Sequence, residues 1–321
     1  MEQKSLEIVY SSAKVSKRGL ALLIDAFVTI FLALIIFVTS NSIVTKAPFY
    51  VEVASKREKI QDKSRLFSDD HILISEYVDS LTISNREKNE YMSSRISSFY
   101  EDKDFYIDTD PNVGYNSRRN KASNGSTTLF IEEDGEIKEN PLCDPSVILS
   151  FYKEEVNDYC LKQFYQYPGY LETNKFFFLT GIIEALASLT ISYTIFYLVF
   201  PLTIFRKGKK SLGMYVFKIA LVGKDGLSLR IGPYVGRFFF EYFVFIIFGF
   251  ASFLISWAIS FTMLLTSKRK QSLTDYVLNQ YKVDVSKNDV YIDFYDYTHS
   301  KEASKLASLE NKNFNIDNRK R

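Results

Sequence analysis

Three long apolar runs, residues 19–40, 175–205 and 237–266, interrupt an otherwise polar chain, and each is nearly free of charge. The first has 22 residues. As a helix rising about 1.5 Å per residue it crosses a hydrocarbon core of roughly 30 Å. It is too long for a signal-peptide core, and no small-x-small cleavage site follows it, so it reads as an uncleaved anchor. The second run is long enough to return the chain. The third has basic clusters at both ends and small residues, Gly249, Ala251 and Ser252, near its middle. Two short helices or a re-entrant hairpin bent there fit this pattern better than one long tilted helix, which would put the C-terminus on the far side.

Residues 41–174 are too many for a plain loop and read as a small mixed domain. Asp144 followed by Pro145 reads as an N-cap and first helical position. Ile148, Tyr152, Val156, Tyr159 and Cys160 then recur at helical spacing up to a stop before Pro168-Gly169. Residues 127–137, with Asp134-Gly135 at the turn, predict a β-hairpin, and 85–99 a helix. Residues 108–126, rich in Asn, Ser, Gly and Arg, predict a mobile stretch. Cys143 and Cys160 both fall in this domain. A helix from Pro145 through Cys160 separates them by roughly 25 Å, against about 7 Å for bridged Cα atoms. Either the helix breaks or the bridge is absent, and the sequence leaves both open. After the third run, the alternation at 290–297 reads as strand within a partly disordered tail. That tail ends in Arg319-Lys320-Arg321, which anionic lipid would attract.

Charge gives the runs an orientation. The 40 Lys and Arg nearly cancel the 38 Asp and Glu, but residues 41–174 hold 16 basic and 24 acidic residues, a net of −8, and the rest is basic. Lys14, Lys17 and Arg18, then Arg206, Lys207, Lys209 and Lys210, then Lys268, Arg269 and Lys270 crowd the ends of the runs. Positive flanks stay in the cytoplasm, so both termini and the loop after residue 205 are expected there, with the acidic domain across the membrane. This distribution excludes a simple soluble enzyme and a dedicated nucleic-acid binder.

Ionisable residues inside apolar runs are costly unless paired or hydrated. Arg18 and Asp25 lie seven apart, on one helical face, and Glu184 sits in the second run. Glu241 follows Arg237 by four and can pair with it along the helix. Such charges either fix helix orientation or relay protons and ions. Gly181, Ala185, Ser188 and Ser192, and separately Ser252, Ser256 and Ser260, repeat every few residues, as close helix packing requires; with Thr190 and Thr194 they would otherwise line a hydrated path. The two histidines, His71 and His299, fall on opposite sides of the expected membrane, so no metal site is expected, and Asp69-Asp70-His71 reads as a solvated turn. No phosphate loop, dinucleotide fingerprint or nucleophile elbow occurs, and neither enzyme activity nor a cofactor is expected.

Lys17-Arg18-Gly19 with Leu23-Ile24-Asp25, Lys210-Ser211-Leu212-Gly213 with Val222-Gly223-Lys224-Asp225-Gly226, and Arg269 through Asp275 together resemble the RDD family of bacterial membrane proteins. The resemblance covers roughly residues 10–40 and 176–285. It implies that Arg18, Asp25 and Asp275 are the signature arginine and aspartates, that Arg237 matches a further arginine, and that Asp275 pairs with Arg18 or Arg237 at the inner surface. Met214 and Lys218 stand where the family usually has lysine and glycine. Around Lys224-Asp225-Gly226, residues 215–222 and 227–231 are expected to form a short hairpin against the membrane.

The expected architecture is an all-α polytopic membrane protein with an inserted small α+β extracytoplasmic domain. Its parts are a cytoplasmic N-terminus (1–17), a transmembrane helix (18–40), the inserted domain (41–174), a second transmembrane helix (175–205), a cytoplasmic loop (206–236), a membrane hairpin or tilted span (237–266) and a cytoplasmic tail (267–321). The resemblance implies a bacterial cell membrane and, for function, transport of a small ion or solute, with exchange of a cation against a proton in some members, for which Asp25 is the candidate group; three or four short spans are few for a transporter, so a homo-oligomer is expected. The competing reading is a membrane-anchored module that senses an envelope component or binds a partner membrane protein through its acidic insert.

Overall fold

The computed structural model describes residues 10–106, 114–252, 254–267, 270–286 and 290–300. The chain divides into two compact units, one of residues 1–39 and 185–321, the other of residues 40–184. Helix α1 (Val15–Val44) comes first in the chain. Its buried positions are Arg18, Ala21, Asp25 and Thr29, three or four residues apart, so the stripe facing the protein is largely polar. Leu23, Phe27, Phe31 and Val38 on the remaining face are 66%, 71%, 57% and 67% exposed. A water-soluble helix has the opposite arrangement.

Residues 40–184 carry their own core. Helix α2 (Pro48–Ser64) opens with Pro48 at its first turn and closes on Arg65 in the left-handed region. Helix α3 (Ile74–Ser80) follows. Ser84 and Glu87 form a reciprocal capping box at the start of α4 (Asn85–Glu101). Helix α5 (Tyr115–Lys121) occupies part of the stretch expected to be mobile; of the remainder, 108–113 lie outside the described residues. Strands β1 (Ser123–Asn124) and β2 (Thr127–Thr128) form one small ladder, and β3 (Phe130–Glu133) with β4 (Glu136–Glu139) the expected hairpin. Its turn is Asp134-Gly135, both with positive φ, the geometry that suits the right-handed twist of a hairpin. Helix α6 (Pro145–Glu155) begins as predicted, with the Asp144 carboxylate accepting from the Ser146 amide at 2.9 Å. A π-helical turn, Val156–Cys160, leads into α7 (Leu161–Gln166). Ile96, Phe99, Ile148, Tyr152, Val156 and Phe164 build the centre of this core. Both cysteines are free thiols, and burial pushes Cys160 up to about 12.

Helix α8 (Pro168–Thr194) continues through a π turn, Ile195–Val199, into α9 (Phe200–Thr203). This continuous helix and α1 are both long and apolar enough to cross a membrane. Beyond it, Ser211 caps a short helix α10 (Leu212–Val216), followed by β5 (Ile219–Val222). Helix α11 (Ile231–Glu241) runs through a third π turn, Tyr242–Ile247, into α12 (Phe248–Ala251). The chain then reverses, with Leu254 left-handed, into α13 (Ile255–Thr266). The third apolar run is therefore a helical hairpin bent at the small residues. Its return arm of 12 residues rises only about 18 Å, too short to span alone. Helix α14 (Leu273–Val277) and strand β6 (Tyr281–Asp284) follow.

Two expected elements are corrected. The loop hairpin around residues 224–226 is reduced to one bridge, Val222 to Ser228, beside a Gly223 amide bond to the Leu227 carbonyl. Ser211 caps residues 212–216 into helix, so they cannot pair. All four residues of β5 are buried and need a full-length partner, which is β6, antiparallel, with Ile219 opposite Asp284 and Val222 opposite Tyr281. The alternating stretch 290–297 turns helical over 294–300, where the Asp293 carboxylate accepts from the Asp296 amide at 2.7 Å. An early Asp cap outweighs a weak alternation.

Candidate functional site

Arg18, Asp25, Arg237, Glu241 and Asp275 come together in the unit formed by residues 1–39 and 185–321. Asp275 stands at the third position of α14, where its side chain and that of Ser272 form a capping box. Both arginines reach it: Arg237 Nη1 lies 2.9 Å from one carboxylate oxygen and Arg18 Nη1 3.7 Å from the other. Arg237 also meets Glu241 at 2.8 Å and donates to the Gln280 side-chain oxygen at 3.1 Å. Arg18 donates to the carbonyls of Lys270 at 2.5 Å and Lys282 at 2.7 Å, and to Ser12 at 3.0 Å. The Asp275 carboxylate thus ties α1, α11 and α14, and Arg18 extends the tie to β6 through the Lys282 carbonyl. Burial pushes Asp275 upward, but Arg237, Lys282 and Arg18 outweigh it and hold the carboxyl below the usual carboxylate range. Removing any one member would leave a buried charge uncompensated.

Asp25 is engaged differently. Its two oxygens accept from the Ser211 hydroxyl at 2.5 Å and the Gly213 amide at 2.7 Å, so the carboxylate closes the N-terminal end of α10. Ser211 accepts in turn from the Met214 amide. The Lys210-Ser211-Leu212-Gly213 motif is therefore a docking turn for α1. Gly213 is obligatory there, because a Cβ would lie 2.1 Å from the Ala21 carbonyl oxygen.

Next to these groups lies a cavity of about 260 Å³, lined by Arg18, Asp25, Lys209, Arg237, Glu241, Asp275 and Lys282 on its polar side. Tyr193, Tyr197 and Tyr234 adjoin them, and Leu22, Met214, Phe245, Ile246, Phe261 and Leu264 give an apolar wall. Tyr197 belongs to one π turn, Phe245 and Ile246 to another. A π turn spoils local backbone pairing, and neighbouring side chains use the carbonyls. Tyr234 Oη donates to the Tyr197 carbonyl at 2.6 Å, Ser256 to that of Val244 at 2.9 Å and Trp257 Nε1 to that of Phe245 at 3.0 Å. The serine rows serve the same packing: Ser192 donates to the Thr29 carbonyl at 2.7 Å and Ser188 is buried.

The RDD family model matches residues 148–279. These residues belong to the RDD family. No curated protein and no solved structure matches the chain. The RDD match takes in Glu184, Arg237, Glu241 and Asp275, but Arg18 and Asp25 lie before it. It also begins inside α6, within the stretch the signature residues leave out. Geometry nevertheless joins Arg18 and Asp25 to the RDD residues Asp275, Ser211 and Gly213. Glu184 belongs to the other unit and lines none of the cavity; it is buried, with Oε1 lacking a hydrogen-bond partner.

Sequence reading missed Lys282, Gln280 and the three tyrosines. The available signal for Lys282 was its place in Tyr281-Lys282-Val283-Asp284, where alternation puts it on the face opposite Val283. Among the described residues no group of three or more His, Cys, Asp or Glu side chains is placed to hold a metal ion.

Proposed function

We propose that this protein is a multi-pass protein of a bacterial cell membrane that binds and passes a small ion or solute through the cavity beside the RDD charge cluster. The observation that carries this reading is the cavity itself. Seven acidic and basic side chains converge on a space of about 260 Å³ bounded by helices whose outer faces are apolar. Structural ion clusters ordinarily close on themselves, whereas this one borders a space with apolar walls, the arrangement of a small-molecule site. Basic residues at the ends of the apolar helices orient both termini and the loop after α9 to the cytoplasm, with residues 40–184 as an inserted domain on the other side. The short return arm of α13 fits a re-entrant hairpin, with Ser256 its buried contact and Ile255, Ile259 and Leu265 exposed on its apolar outer face. With so few spans, the working form is a homo-oligomer.

Exchange of a cation against a proton at Asp25 is the form the family resemblance implies. Both Asp25 oxygens already hold α10, so such exchange would have to release the docking turn. The test is ion and solute flux in proteoliposomes under imposed sodium, potassium and proton gradients, comparing the unaltered protein with Asp25→Asn at equal insertion. Flux lost in the variant supports the reading; flux equal in both removes Asp25 from it.

A second reading rests on the separate core of residues 40–184. In it the acidic insert binds an envelope component or partner membrane protein, and the helices anchor it. Pull-down by the insert of one defined partner, with no flux, would favour it.

A further inference from the structure

Lys282 stands out among the cavity groups. Asp275 pairs with both arginines, Glu241 with Arg237 and Asp25 with Ser211 and Gly213, whereas the Lys282 ammonium makes no hydrogen bond or ion pair with any described residue. Strand β6 fixes its backbone opposite Leu221. Arg18 Nε and Arg237 Nη2, also at the cavity, are buried without a hydrogen-bond partner, against one such acceptor, Asp275 Oδ1. The unused polar capacity of the cavity is therefore mainly donating and positive. Charge count agrees: four cationic side chains, Arg18, Lys209, Arg237 and Lys282, face three carboxylates, Asp25, Glu241 and Asp275. A single negative charge completes the balance.

The apolar part of the lining sets the rest of the ligand. Phe245, Ile246, Phe261 and Leu264 offer apolar surface and no donors, and two of them are placed by the π turn after Glu241. We propose that the cavity takes a small monocarboxylate with an apolar body, its carboxylate on Lys282 beside Arg18 and its hydrocarbon against the α12–α13 hairpin side. This deepens the transport reading by naming its substrate class, and it rests on the same cavity. Burial, together with Arg237 and Arg18, pulls Lys282 below the usual lysine range, while Asp275 and Glu241 oppose the shift. A bound carboxylate restores what burial removes.

The test uses the purified full chain in nanodiscs of neutral lipid, with hexanoate, hexanol and hexylammonium as probes in titration calorimetry. Hexanoate is expected to bind saturably, and hexanol and hexylammonium at least 10-fold more weakly. Lys282→Met is expected to lower hexanoate affinity at least 10-fold with an unchanged elution profile, and Lys282→Arg to restore most of it. Hexylammonium binding as tightly as hexanoate, or Lys282→Met binding hexanoate like the unaltered protein, overturns the proposal. So does loss of hexanoate binding when phosphatidylglycerol replaces neutral lipid, which puts a headgroup in the same place. Hexanoate binding without flux leaves this assignment standing and removes transport; flux of an inorganic ion without hexanoate binding does the reverse.

Discussion

Gly213 has no room for a methyl group, since its Cβ would overlap the Ala21 carbonyl oxygen. Gly213→Ala is expected to destabilise the fold by about 1–3 kcal/mol or more, seen as a lower melting temperature and reduced monodisperse yield; an unchanged melting temperature would show that α10 does not dock on α1. Asp275→Asn leaves two buried guanidinium groups short of charge and is expected to cost about 3–5 kcal/mol, checked by thermal unfolding in detergent. Asp284 contributes a pH dependence of known sign. The Lys17 ammonium, at 2.6 Å, and Ser286 pull its carboxyl down to about 2. Its stabilisation is present above the unfolded value of about 3.9 and is lost as pH falls through about 2, and Asp275, also held low, acts in the same direction. Melting temperature should therefore drop between about pH 4 and 2, and Asp284→Asn should lose part of that drop. Lys218 has φ +55 where the family usually has glycine; Lys218→Gly is expected to gain about 0.5–1 kcal/mol in denaturant unfolding. At this scale Arg18, Asp25, Arg237 and Glu241 were legible, because charges within or at the ends of apolar runs need partners, whereas Asp275, outside the runs, was legible only through the family resemblance. Lys282 was not, since alternation puts it on the face opposite Val283 but does not tell a face on a cavity from a face on water.

Elements were legible where the chain carries local signals and hidden where pairing is distant. The Asp144-Pro145 and Asp134-Gly135 signals placed α6 and the β3–β4 turn, and the small residues 249, 251 and 252 placed the bend before α13. Helix α2 escaped notice because its face is mostly polar, with Ile60 as its main apolar contact to the core. The β5 partner lies about sixty residues away, and the nearer strand-like stretch misdirected the assignment. The π turns have no sequence signature, yet the one at Tyr242–Ile247 holds the hairpin through Ser256 and Trp257. In the insert, Glu155 is buried, with Arg118 bonded to both its oxygens and the Tyr100 hydroxyl donating to one. Glu155→Gln breaks a buried pair and is expected to lower the melting temperature of the insert, read by near-ultraviolet circular dichroism, by several degrees. An unchanged value would make the pair dispensable.

For the whole molecule, the sequence disclosed apolar helices, an acidic segment between them and basic flanks, because these depend on composition alone. It did not disclose a cavity, which arises only when α1, α8, α11, α13 and β6 converge. In the proposed function the ligand passes through this cavity, and the clamp beside it only holds the helices. Leu264→Trp on α13 tests this directly, since Leu264 lines the cavity and belongs to none of the ion pairs. The decisive measurement is solute and ion flux in proteoliposomes for this variant against the unaltered protein at equal insertion and equal melting temperature. Flux abolished by filling the cavity is the predicted result; flux retained at the unaltered rate would contradict it.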